Sequence, residues 1–110
     1  MAYDEVLGDR IRDAIPDPEG VTEKRMFGGL AFLVHGNLAV GASSQGGLIL
    51  RVYPAETDSL VNDDDVTRFV MRGREMNGWL HVYPSAAASD EQLRRWVEIG
   101  VRYAGSLPSK

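Results

Sequence analysis

The sequence predicts an α+β domain: a two-layer arrangement with an antiparallel sheet and helices on one face, in the order α-β-β-β-α-β-β-α. Three observations predict it. Short alternating apolar segments follow one another across glycine-containing turns, which joins neighbouring strands antiparallel. Stretches of helical apolar spacing bracket them, at residues 3–15 and again after Ser89. A chain of 110 residues, 44% hydrophobic and 25% charged, suits one two-layer core rather than two.

Each element has its own signal. In the first helix Val6, Leu7, Ile11, Ala14 and Ile15 recur at helical spacing, with acids and arginines opposite. Pro16 and Pro18 stop it, because the residue before a proline is driven out of the helical region. Lys24 to Gly29 opens a hairpin. Leu30, Phe32 and Val34 point one way and Ala31, Leu33 and His35 the other. Gly36-Asn37 offers the turn two residues tolerant of positive φ, and Leu38 to Ala42 returns. Beyond a turn at Ser43 to Gly47, Leu48, Leu50 and Val52 alternate with Ile49, Arg51 and Tyr53.

Pro54 suits the first turn of a short helix, Ala55 to Val61, which Asn62-Asp63-Asp64-Asp65 ends in a solvated turn. Arg68 to Met71 and Trp79 to Tyr83 are the fourth and fifth strands, with Gly73 and Gly78 bracketing an irregular connection. The last helix has its start written out. Ser89 is the N-cap, Gln92 completes a capping box, and Asp90 and Glu91 face the positive end of the helix dipole. Its apolar stripe is Leu93, Trp96, Val97, Gly100, Val101 and Ala104.

Composition excludes several functions. There is no cysteine, so disulfides, thiolate chemistry and cysteine zinc sites are out. No apolar run approaches the ~20 residues of a membrane span. Met1-Ala2-Tyr3-Asp4-Glu5 is not the start of a secretory signal, and the expected compartment is the cytoplasm. Net charge is -4, distributed as -4 over residues 1–20, -1 over 21–84 and +1 over 85–110. A general polyanion binder is expected to be basic, so charge argues against nucleic acid as the main partner while a local basic patch keeps it as an alternative.

The motifs resemble a known family. Lys24-Arg25-Met26-Phe27-Gly28-Gly29, Gly36-Asn37, Gly47-Leu48, the Arg72-Gly73-Arg74-x-Met76 stretch, and a tail with Trp96, Gly100, Tyr103 and Ala104 resemble the TfoX/Sxy N-terminal domain along nearly the whole chain. The resemblance implies an α+β domain with an antiparallel sheet, similar in fold to type III secretion chaperones. The founding members are competence regulators with a second, C-terminal domain, for which the 110 residues leave no room, so a stand-alone N-terminal domain is expected. The family implies no catalytic residues.

The candidate site is basic. Lys24, Arg25, Arg51, Arg72 and Arg74 are expected to converge around an anion or an acidic partner, with Arg51 paired to a carboxylate or carbonyl or lying within reach of the others. Arg51 stands mid-strand, where a cation needs a partner. Arg72 and Arg74 flank a glycine that can turn backbone N–H groups toward an anion. The plainer alternative is that these cations pair with Glu23, Glu56 or Glu75 and cover apolar surface with their stems.

Gly28-Gly29 and Gly46-Gly47 have neither the spacing nor the following helix of a phosphate loop. His35 and His81 have no third ligand placed for a metal, and His81 beside Tyr83 is the sole acid–base candidate. Asp63-Asp64-Asp65 lacks the alternation of a calcium loop. The Met26-Phe27 and Met76 to Trp79 stretches read as core, with an exposed partner patch as the alternative. No cofactor is expected. The function expected is a small regulatory interaction module, not an enzyme, with a protein partner or a second copy of the chain.

Overall fold

The computed structural model of the chain describes residues 4–15, 19–26, 28–62 and 64–108. Tyr3 at the expected helix start, the helix-stopping Pro16 and Pro18, Phe27 of the expected core, and Asp63 lie outside the described residues.

Helix α1 (Glu5–Ala14) is followed by β1 (Val21–Met26), β2 (Gly29–Val34), β3 (Asn37–Ala42) and β4 (Leu48–Arg51). A 3-10 turn (Pro54–Glu56) runs into α2 (Thr57–Leu60), then β5 (Val66–Met71) and β6 (Arg74–Val82). A second 3-10 turn (Pro84–Ala87) leads to α3 (Asp90–Ser106). The strands form one sheet in the order β1-β2-β3-β4-β6-β5, antiparallel at every pairing. The α+β class and its antiparallel sheet are those expected, with one strand more: β1 turns the order into α-β-β-β-β-α-β-β-α. Its sequence, Val-Thr-Glu-Lys-Arg-Met, carries no apolar alternation, because an edge strand whose middle residues are all exposed has no core face to record.

Capping sets the helix starts. The Asp4 carboxylate accepts from the N–H groups of Val6 (2.9 Å) and Leu7 (3.3 Å). At α3 the capping box is complete: Gln92 N–H donates to Ser89 Oγ, and Ser89 N–H donates back to Gln92 Oε1, both at 3.1 Å. Helices α1 and α3 pack together over one face of the sheet, where Ile11, Phe32, Leu50, Leu80 and Val97 are fully buried or nearly so. A Cβ on Gly100 would collide with the Ala39 carbonyl and Leu50 Cδ1, so only glycine lets α3 lie directly on β3 and β4. Trp96 packs on the rim of this core, and its indole N–H donates to the Ala86 carbonyl at 3.0 Å.

Two turns differ from expectation. The β2–β3 turn is His35-Gly36, with φ of 51° and 86°, and Val34 faces Asn37 across it. Asn37 is excluded from the turn because it is buried and its side-chain amide donates to the Pro108 carbonyl at 2.9 Å. The β5–β6 connection is a two-residue turn, Arg72-Gly73, with φ of 54° and 77°; β6 already begins at Arg74. The irregularity lies inside β6 instead. Arg68 faces Leu80 but Phe69 faces Met76, so Asn77, Gly78 and Trp79 have no opposite residue on β5. Buried Thr57 fills that break: its hydroxyl accepts from Gly78 N–H (2.9 Å) and donates to the Pro54 carbonyl (2.8 Å). Among the described residues no helix is long and apolar enough to cross a membrane.

Candidate functional site: the helix-free face of the sheet

The ladder register assigns every strand residue to a face. Lys24 faces Ala31, Ala31 faces Gly41, Gly41 faces Ile49 and Ile49 faces His81. That row lies away from α1 and α3, because alternate residues Phe32, Val40, Leu50 and Leu80 form the helix-side core. On the helix-free face Ala31, Leu38 and Ile49 are only 4–6% exposed, under half-buried Met26, Leu33, Phe69 and Trp79. Gly41, between Ala31 and Ile49, lies tight against β2: a Cβ there would come within 2.8 Å of the Leu30 carbonyl, and Met26 and Leu38 line the small space over it.

Charge divides the same way. The strand carboxylates, Glu23 and Glu75, both register on the helix side, with Arg25 and Arg68. There Glu23 and Arg68 find partners, while Arg25 and Glu75 have no ion pair among the described residues. Arg12 of α1 donates bidentately to Glu23 (Nε–Oε2 2.6 Å, Nη2–Oε1 2.7 Å) and to Asp9 (2.7 Å), and Asp58 of α2 pairs with Arg68. Hydrogen bonding to Arg12 holds the Glu23 carboxyl below the usual carboxylate range, and the same bonds raise Arg12. The helix-free face carries Lys24, Arg51 and Arg74 by register, and no strand position on it is Asp or Glu. Among the described residues none of these three cations has a carboxylate within ion-pairing distance.

The expected convergence of basic residues is not what the topology builds. Lys24 and Arg25 are on edge strand β1; Arg72 is in the turn that ends β5, the opposite edge, and Arg74 opens β6, one strand in from it. Five inter-strand steps separate those edges, about 24 Å. Arg25 faces Leu30 on the helix side, and Arg72 is consumed by a turn. Lys24, Arg51 and Arg74 therefore share a face without sharing a point.

Arg51 has neither the carboxylate nor the carbonyl expected among the described residues, and Glu23 is taken by Arg12. It has aromatic rings instead. Its guanidinium carbon lies 5.1 Å from the Trp79 ring centroid and 5.5 Å from that of Tyr103 on α3. Tyr103 is itself fixed edge-on against Tyr53, centroids 4.7 Å apart. No buried side-chain nitrogen lacks a partner among the described residues, so the guanidinium nitrogens reach solvent. The arrangement holds a planar, five-donor cation in a fixed orientation with its donors free for an acceptor.

Sequence reasoning singled out Arg51 but missed its ring partners. Trp79 was legible, since it faces Arg51 once β4 and β6 are paired; Tyr103 arrives from a distant helix and left no local signal.

His35 stands in its turn at positive φ, beside Gly20. His81 is buried, donates Nε2–H to the Gly46 carbonyl at 2.8 Å and lies tilted against Tyr83, with centroids 4.4 Å apart. His35 thus holds a turn position and His81 ties a strand to a turn.

Fold and face together define a class: a small α+β domain with helical cover on one side of its sheet and an aromatic, cationic surface on the other. The chain belongs to the TfoX N-terminal domain family, whose model matches residues 14–104. Comparison with curated proteins returned no match.

Proposed function

We propose that this protein is a small cytoplasmic regulatory module that acts by protein–protein contact through the helix-free face of its sheet, without catalysing a reaction. Membership of the TfoX N-terminal domain family supports a regulatory or interaction domain. The observation that carries the reading is Arg51, a guanidinium oriented by Trp79 and Tyr103 with its donors uncommitted. Arginine, tryptophan and tyrosine are the residues that dominate binding energy at protein interfaces, and they cluster at interface centres.

The test is site-specific photo-crosslinking in the native cell. A photoreactive residue at half-buried Leu33, on the helix-free face, is expected to trap one discrete protein. The same residue at exposed Glu98, on α3, is expected to trap none. Equal adducts from both positions, or a nucleic-acid adduct at Leu33, would sink the proposal. An adduct of twice the chain's mass would identify a second copy as the partner.

A further inference from the structure

Resting on that reading, we infer that the partner presents an acidic, extended protein segment to the helix-free face, with one carboxylate on Arg51, another on Lys24 and an apolar side chain over Gly41. Charge complementarity carries the inference. The chain is acidic overall, yet Lys24, Arg51 and Arg74 register together on a face with no strand carboxylate, while the helix side supplies partners for Glu23 and Arg68. Such an excess of one sign selects a partner of the other sign. It also disfavours a second copy on this face, because a two-fold contact would set the same three cations against each other.

Spacing sets the segment. Lys24 and Arg51 lie three strands apart and two residues out of row, about 16 Å between backbones. In an extended segment the first, third and fifth side chains face the sheet, and four residue steps span about 13 Å. The long lysine and arginine side chains cover the difference. The third side chain then falls over the middle of the face, above Gly41, which adds no side chain of its own between Ala31 and Ile49. The motif read is Glu-x-apolar-x-Glu, with aspartate in place of glutamate where the reach allows.

The molecule carries its own reporters. Trp79 is on the proposed surface, beside Arg51; Trp96 is on α3, its indole N–H held by the Ala86 carbonyl. The experiment is an NMR titration of the intact chain with the capped peptide Glu-Ser-Leu-Ser-Glu, following both indole N–H signals. The Trp79 signal is expected to shift and the Trp96 signal to stay. Arg51→Gln is expected to weaken binding about tenfold, Lys24→Gln less, and the peptide with both glutamates changed to glutamine is expected not to bind. Lys24 is exposed on an edge strand, so its variant keeps the test valid even where Arg51→Gln disturbs the fold.

Equal binding of the neutral peptide, a response at Trp96 alone, or no response at all would overturn the inference. So would a Trp79 shift with duplex DNA but not with peptide, or one that grows with protein concentration alone. A failed titration beside a protein adduct at Leu33 removes the acidic segment and leaves the interaction module; failure of both removes the module.

Discussion

Leu50 and Ile49 are neighbours on one strand and report on two different environments. Leu50 is fully buried beneath α3, against Leu80 and the backbone of Gly100. Ile49 is almost as well hidden, but under Trp79, Met26 and other side chains that are themselves half-exposed. One face has a second layer of secondary structure over it; the other has only a single layer of side chains. The difference extends to charge. The helices bring partners to two strand charges, Arg12 for Glu23 and Asp58 for Arg68, though not to Arg25; on the other face Lys24, Arg51 and Arg74 have no carboxylate partner among the described residues.

The largest effects should fall on the helix side. Leu50→Ala is expected to cost about 3 kcal/mol, measured by chemical denaturation, because a rigid helix cannot collapse into the void. Ile49→Ala should cost about half as much, since a one-layer cover relaxes toward solvent. Equal losses would show that the two faces are packed alike. Gly100→Ala should cost about 2 kcal/mol by lifting α3 off Ala39, a case of overpacking; a variant with an unchanged midpoint would place that helix further from the sheet than described.

Smaller effects sharpen the contrast. Arg72→Asn should stabilise the chain by about 0.5 kcal/mol, because asparagine accepts the positive φ of that turn better than arginine. It should leave the peptide response at Trp79 intact, and a lost response would return Arg72 to the site. Glu23→Gln should cost about 0.5 kcal/mol at neutral pH, the scale of a half-exposed ion pair. Because the folded state lowers the Glu23 pKa, that contribution is fully present above the usual carboxylate range and is lost as pH falls below that range, through the lowered pKa of the folded state. A difference between the two proteins that persists in acid would mean that packing, not charge, is lost.

What the sequence disclosed followed from how local each cause is. The start of α3 was legible because Ser89 and Gln92 satisfy each other within one turn. Strands β2 and β4 were legible because their alternate residues go to a core. Strand β1 was not, because its core is elsewhere and its own residues are charged. The His35-Gly36 turn was displaced by one residue because Asn37 is claimed by Pro108, far along the chain.

The candidate site shows the same limit. The alternating pattern drew attention to Arg51 as a mid-strand cation, but β4 ends at Arg51, so the residue stands at the strand's end, against Trp79 and Tyr103. Only the strand order, which no local pattern encodes, separates Lys24 and Arg25 from Arg72 and Arg74 by most of the width of the sheet. Only the return of α3 brings Tyr103 to the guanidinium.

The break in β6 gives the domain two levels of persistence. On one side of it, Leu80 to Val82 pair with β4 as well as β5, and Leu80 and Val82 are locked into the helix-side core. On the other side, Phe69 to Met76 is a hairpin held by its own ladder, with Val70 more than half exposed. Amides of the outer hairpin should exchange with solvent by opening locally, at a fraction of the free energy needed to unfold the whole chain, while those of Leu80 and Val82 should exchange only with global unfolding. Gly78, tied to Thr57 and Val52, is the joint between the two. Arg74 sits on the part expected to open and Arg51 beside the part expected to stay closed, so these two cations on the helix-free face would differ in how firmly they are held.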